Sequence, residues 1–252
     1  MNLQSIKSIF KIFRRKSAVK VIELKLESAK DLIEASYWIE PQRLRMFLPA
    51  SMLRMQGAFS YGKDHPFVAA LSSGEDALVQ FYEKVKPNTI LEFYGISAED
   101  RKGSHLRAWE IPWYMRSHRT PPPGESGLGA EHGVSFCGPA SRQKVALEMS
   151  RLRLVAASIS RFGYDPESNG DIEGYILKSG ADACFFVRGG KHRAAALVYL
   201  GFEFIPVTFK EGFPRVIDAS HAEFWPLVIQ NQIDAATARL ILQAYITGSH
   251  VQ

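Results

Sequence analysis

The most regular pattern of hydrophobic and polar positions lies in the C-terminal half of the chain. From residue 141 to 162, apolar residues recur at spacings of three and four, which predicts an amphipathic helix of about five to six turns that ends at Gly163. Four elements with the patterns of strand, strand, helix and strand follow at residues 172–178, 183–187, 191–200 and 202–209. This order predicts an α/β (α+β) domain over residues 106–210.

The N-terminal half has weaker periodicity and is predicted as a smaller module of mixed structure, residues 19–105. Alternating apolar positions from Val19 to Leu26 predict a strand. Residues 73–82 predict a helix with Ser73 as its N-cap. His65 has no motif around it, so we expect a structural role rather than a ligand or acid–base role.

The two ends of the chain are predicted to be helical. Residues 1–18 form a basic amphipathic segment that is too short to span a membrane and has no signal-peptide core. Two interpretations stay open: residues 1–16 contact an anionic membrane surface, or they pack on the protein itself. Residues 211–252 form an extension in which residues 235–246 predict a stabilising helix, with a partner-binding face as the alternative.

Composition narrows the class of protein only slightly. With 46% hydrophobic and 23% charged residues, the 252-residue chain has the make-up of a globular protein. Cys137 and Cys184 lie far apart in sequence, so neither a disulfide framework nor a zinc site is expected, and a cytoplasmic location fits best. The net charge of +5 suits anionic partners such as nucleotides, nucleic acid or an acidic membrane face.

Residues 113–141 predict a long loop, because they hold three consecutive prolines, five glycines and little periodicity. Aromatic and aliphatic residues in the loop favour an ordered lid or substrate loop over a plain linker. Glu131 and His132 lie in this loop and are candidate catalytic groups, since either can accept a proton.

The strongest candidate binding site is the turn between the predicted strand at 183–187 and the helix that follows. Gly189 and Gly190 leave room for an anion to approach the backbone. Lys191, His192 and Arg193 then add cationic or hydrogen-bonding side chains to the first helical turn, where a bound phosphate would offset the unfavourable interaction of cations with the helix dipole. The alternative is a tight turn with solvated cations.

The segment FFVRGGKHRAAALVYLGFEFIPVTF, residues 185–209, resembles the signature of the ParB/sulfiredoxin superfamily. Gly189, Gly190, His192 and Arg193 match the GGCHR turn of sulfiredoxins. Leu200-Gly201 and Ile205-Pro206-Val207 match the continuation of the motif. The resemblance implies a ParB-like nucleotide-binding domain over residues 106–210 in which Gly189 to Arg193 hold the phosphates.

Departures from the family pattern limit what the resemblance implies. Lys191 stands in place of the reactive cysteine of sulfiredoxins, so reduction of a sulfinic acid is not expected. Arg188 stands where ParB-like serine kinases have an aspartate, which leaves the general base or metal-positioning group of such a kinase unassigned. No helix-turn-helix module follows the motif, so specific DNA binding is not expected. The chain also resembles uncharacterised ParB-like proteins of bacterial surface-polysaccharide gene clusters.

The resemblance leads to two functional hypotheses. In the first, the chain is a kinase that uses a nucleoside triphosphate, ATP above all, with Mg²⁺ to phosphorylate a small hydroxylated molecule. Glu131 or His132 then accepts the proton of the substrate hydroxyl, and His192 orients phosphate or relays a proton. In the second, the same turn binds a nucleotide without turnover and acts as a switch. Neither hypothesis names a protein ligand for a resident metal.

Overall fold

The computed structural model describes residues 21–38, 43–99, 101–114, 128–133 and 139–249. The basic segment predicted for residues 1–18 lies outside these ranges, as does Cys137. So does most of the predicted loop at 113–141.

The described residues form a seven-stranded sheet with helices on both faces. The strands are β1 (Val21–Lys25), β2 (Arg43–Pro49), β3 (Leu53–Arg54), β4 (Ile172–Ser179), β5 (Asp182–Gly189), β6 (Phe204–Phe209) and β7 (Val216–Asp218). The α-helices are α1 (Ala29–Ser36), α2 (Pro66–Ser73), α3 (Glu75–Lys84), α4 (Ile90–Tyr94), α5 (Arg142–Phe162), α6 (Pro166–Asn169), α7 (Lys191–Tyr199), α8 (Pro226–Ile229) and α9 (Ala235–Thr247). Short 3-10 turns cover Ala50–Met52, Ala130–His132 and Ala219–Phe224.

The sheet is mixed, with the strand order β1-β2-β6-β4-β5-β3, and this confirms the predicted α/β class. β4 is its centre: one edge pairs antiparallel with β5, and the other pairs in parallel first with β6 and then with β7. β2 pairs antiparallel with β6, so strands from the predicted N-terminal module at 19–105 join the sheet of the predicted domain at 106–210. The sheet therefore continues across the boundary that the sequence suggests near residue 105.

Successive side chains of β5 point to opposite faces of the sheet and pack in two separate hydrophobic cores. Phe185 and Val187 face α1, α2, α3, α5 and α7, whereas Cys184 and Phe186 face α4, α8 and α9. All four side chains are buried, because both faces of the central strands are covered by helices. The start of α7 lies at the end of β5 and therefore at the edge of the first core.

Most elements predicted from periodicity are confirmed. α5 begins after its N-cap Ser141 and ends at Gly163, and β4 and β5 form the predicted hairpin. The predicted N-cap Ser73 is wrong: Ser73 is the last residue of α2, and Gly74 caps α3 through its backbone conformation without a side-chain bond. Glycine occupies this position because φ of 94° there disfavours a residue with a side chain.

No helix in the described part of the chain is long and apolar enough to cross a membrane.

Candidate functional site

The predicted phosphate turn joins the end of β5 to the start of α7. Gly190 is the N-cap of α7, has φ of 77° in the left-handed region, and receives no side-chain capping bond. A Cβ at this position would lie 3.0 Å from the Cα of Ile172 on β4. Only glycine fits without strain, because both the backbone conformation and the close approach of β4 exclude a side chain.

The first turn of α7 presents backbone N–H groups at the positive end of the helix dipole. Ala194, Ala195 and Ala196 follow directly and are fully buried, so the helix lies close to the sheet. The side chains of Lys191 and His192 are partly exposed beside these amides. Backbone donors and cationic groups thus meet at one place on the surface.

The guanidinium of Arg193 packs against the turn, with one nitrogen 3.0 Å from the position that a Cβ of Gly190 would occupy. Its guanidinium donates one hydrogen bond to the backbone carbonyl of Asn169 and another, of 2.9 Å, to that of Asp171. Two carbonyls accept from the planar fork of one side chain, so Arg193 holds the segment between α6 and β4 against the start of α7. A role for Arg193 in phosphate binding stays a prediction.

Two arginines on β2 also bind the segment between α6 and β4. Arg45, on β2, is buried and forms ion pairs with Glu23 at 3.0 Å, Glu167 at 2.7 Å and Asp171 at 3.4 Å, and Arg43 also pairs with Asp171. Asp171 therefore has its side chain bound by β2 and its carbonyl bound by α7. The segment that supports the turn is tied to both neighbouring elements.

His192 is fixed by contacts on two other helices. Its Nε2 lies 2.5 Å from Oε2 of Glu148 on α5, and its ring stacks on Phe67 of α2 with centroids 5.2 Å apart. Glu148 is 1% exposed and also pairs with Lys144, one turn earlier on α5, at 3.0 Å. Arg151 lies 3.6 Å from the same carboxylate. The imidazole thus has a defined orientation at the edge of the site.

The electrostatics of this cluster fix the proton position on His192. Burial alone would raise the pKa of Glu148, but the hydrogen bonds and positive charges of His192 and Lys144 outweigh it and lower the pKa to about 2. An ionised carboxylate only accepts, so Nε2 of His192 carries the proton that the bond requires. Nδ1 is the ring nitrogen that takes no part in this bond.

Glu131 and His132 lie in the 3-10 turn that precedes α5. Nδ1 of His132 is 2.8 Å from the hydroxyl of Ser141, which also caps α5 by accepting from the N–H of Lys144. The side chain of Glu131 is 74% exposed. Because Ser141 precedes Glu148 by about two helical turns, or about 10 Å, both candidates lie towards the N-terminus of α5, away from the contact with His192.

The sequence did not reveal that an acidic residue lies beside the turn. Glu173 on β4 pairs with Gly189, and its Oε2 lies 3.2 Å from the position that a Cβ of Gly189 would occupy. Its carboxylate also accepts from Nζ of Lys210 at 3.0 Å. The signal was weak because Glu173 is one charged residue in a strand with no motif around it, and its closeness to Gly189 depends on strand register.

Strand register is irregular next to the turn. Glu173 pairs with Gly189 and Gly174 pairs with Val187, so Arg188 is the extra residue of a β-bulge. The Arg188 guanidinium lies 5.3 Å from the ring centre of Tyr114 and 5.9 Å from that of Phe213, two rings that stack on each other. At the bulge, Arg188 therefore packs on the side of the core that contains α4, α8 and α9, whereas the turn borders the core that contains α5 and α7.

Among the described residues, no group of three or more His, Cys, Asp or Glu side chains could hold a metal ion. The chain matches no protein-family model, no curated protein and no solved structure. The geometry of the turn is thus the main physical observation that bears on function.

Proposed function

We propose that this protein binds a nucleoside triphosphate through its phosphates at the start of α7 and transfers a phosphoryl group to a small hydroxylated molecule. The observation that carries the proposal is the N-terminus of α7, which follows Gly189 and the N-cap Gly190 without a side-chain capping bond and holds His192 in place through Glu148. The sequence resemblance to the ParB/sulfiredoxin superfamily over the same residues supports the choice of a nucleotide.

The charge at the turn suits a phosphate. Gly190 lets β4 and the guanidinium of Arg193 pack closely against the turn, because a side chain there would clash with both. Lys191 supplies a cation, and His192 supplies Nδ1 in a fixed ring. Each phosphate contact by a charged or strongly polar donor contributes about 1.5–3 kcal/mol to binding.

Mg²⁺ would neutralise the charge on the phosphates, as it does in other phosphoryl transfers. It keeps several waters and needs only one or two protein carboxylates, so a dedicated cluster is not required. Glu173, next to Gly189, is the described carboxylate best placed to hold the ion. Glu131 and His132 remain the candidates for accepting the hydroxyl proton. Lys144 follows them on α5, where its N–H binds the hydroxyl of Ser141 and its side chain pairs with Glu148.

The test begins with binding and then asks for transfer. The purified protein is titrated with each nucleoside triphosphate in the presence of Mg²⁺, and phosphate transfer is followed with pools of amino acids and of sugars. Lys191→Gln is expected to weaken nucleotide binding by about tenfold or more, since it removes a charged phosphate contact. Lys86→Gln makes the same change of charge at an exposed position between α3 and α4 and is expected to bind normally.

Two results would change the proposal. Nucleotide binding without transfer to any acceptor would replace the kinase with the second hypothesis, a nucleotide-dependent switch. Equal binding by Lys191→Gln, Lys86→Gln and the wild type, or no binding at all, would contradict a nucleotide site at this turn.

A further inference from the structure

His65 is a buried histidine with one ring nitrogen left over. It is 3% exposed and is the N-cap of α2, where Nδ1 accepts a hydrogen bond of 3.1 Å from the backbone N–H of Phe67. Nε2 has no hydrogen-bond partner among the residues that the structure describes. A buried polar atom without a partner is rare in a folded protein and calls for an explanation.

The capping bond fixes the tautomer of this ring. Nδ1 accepts, so in the neutral imidazole the proton is on Nε2, and the atom without a partner is a donor. Burial, and then the positive charge of Lys191, lower the pKa of His65 to about 3, so the ring is neutral at physiological pH. His65 therefore offers one N–H in a fixed direction and no charge.

This ring belongs to the same cluster as the start of α7. It stacks on Tyr61 with centroids 4.3 Å apart and meets the ring of Phe67 edge-on at 5.5 Å. Phe67 in turn stacks on His192, and Lys191 acts on the charge of His65. Through Phe67, His65 therefore packs in one cluster with His192 of the first turn of α7.

We propose that His65 is a ligand-binding residue whose Nε2–H donates to a phosphate oxygen of the anion held at the start of α7. The inference rests on the proposed function and extends it, because it adds a neutral donor from α2 to a site predicted only from the turn. A phosphate oxygen fits the observations best: it accepts hydrogen bonds, and its negative charge offsets that of Lys191.

The ring of His65 can be followed directly in the wild-type protein. ¹⁵N-labelled protein is titrated with inorganic pyrophosphate and separately with ATP, and the Nε2 and Hε2 resonances of His65 are recorded by NMR. Binding of pyrophosphate should shift both resonances and protect Hε2 from exchange. A signal from His65 that stays unchanged while ATP binds would overturn the inference and leave the proposed function intact.

The two probes separate the two proposals. A shift with pyrophosphate but no binding of ATP would support the donor role of His65 and contradict the nucleotide. Failure of both anions to bind would overturn both. If Nε2 of His65 instead pairs with a buried water, its resonances should not respond to either anion.

The His65→Asn variant tests the same contact by its effect on the affinity for pyrophosphate. Asparagine is a good N-cap, so it preserves the acceptor for Phe67 N–H, but its amide is too short to reach the position of Nε2. Pyrophosphate binding should weaken by about 10- to 100-fold, the effect of losing a hydrogen bond to a charged acceptor. His105→Asn makes the same substitution where the histidine contacts Gln232 at the surface, and its affinity should equal that of the wild type. Unchanged affinity in a folded His65→Asn protein would also overturn the inference.

Discussion

The buried carboxylate of Glu148 on α5 accepts a hydrogen bond from Nε2 of His192 on α7 at 2.5 Å, across 44 residues of sequence. The bond connects the two helices that border the candidate site and fixes the orientation of the imidazole of His192. The same carboxylate also forms ion pairs with Lys144 and Arg151 on α5. Four predictions follow from these contacts and from those of the turn.

Glu148→Gln should destabilise the fold and weaken nucleotide binding together. The amide keeps the shape of the side chain but leaves Lys144 buried beside a neutral group, and loss of one partner of a buried pair typically costs about 3–5 kcal/mol. Urea unfolding measures the free-energy change, and nucleotide titration measures the affinity. Glu131→Gln is the control, since that carboxylate is 74% exposed and its loss should change stability by less than about 0.5 kcal/mol. Equal stability of the two variants would show that the buried pair contributes nothing.

Arg193→Lys should lower stability by about 1–3 kcal/mol, because an ammonium cannot reach both carbonyls that the guanidinium holds at Asn169 and Asp171. Thermal unfolding of this variant is compared with that of Arg153→Lys, an exposed position on α5 where little change is expected. Normal stability combined with lost nucleotide binding would instead assign Arg193 to the phosphate.

Gly190→Ala should be more destabilising than Gly201→Ala. Both glycines have φ near 80°, which strains any other residue by about 1–2 kcal/mol. A Cβ at Gly190 also meets Ile172 and Arg193, whereas one at Gly201 has nothing within 4 Å. Urea unfolding gives the free energy of unfolding of each variant, and the difference between them reports the cost of the clash with β4 and Arg193. Equal losses would mean that the turn has room for a side chain.

The stability of the protein should fall with acid because of His65. Below pH 6.5 the unfolded chain binds a proton at this residue, and the folded chain does not until about pH 3, because burial and the charge of Lys191 oppose it. His65 therefore makes the free energy of unfolding decrease by up to about 1.4 kcal/mol per pH unit as pH falls through this range. Tyr61 and Phe67, the other side chains that pack on the ring, carry no charge there.

Comparison with His65→Asn isolates that contribution. The variant should be less stable than the wild type at pH 7, and the difference should shrink between pH 6.5 and about 5, before Glu148 begins to protonate in the unfolded chain near its ordinary pKa of 4.5. Denaturant unfolding at a series of pH values provides the data. Parallel pH profiles for the two proteins would show that His65 does not stay neutral in the folded state.

Local patterns in the sequence were sufficient to predict the α/β class, α5 with its cap and end, the hairpin of β4 and β5, and the turn that starts α7. These features depend on periodicity, caps and glycine conformation within about 20 neighbouring residues, so the information is contiguous in the chain. The function proposed for the turn depends on a resemblance over the same stretch and remains to be tested.

Contacts between residues distant in sequence required the tertiary structure. Four such contacts depend on how separate elements pack. They are the pairing of β2 with β6, the pairing of Glu173 with Gly189, the buried bond between Glu148 and His192, and the position of His65 beside α7. Arg193 shows the difference most clearly: its place in the motif suggested a phosphate contact, whereas its described hydrogen bonds run to the backbone of a segment more than 20 residues earlier. Periodicity specifies which face of an element is buried, but which side chains meet is set by strand register and helix packing.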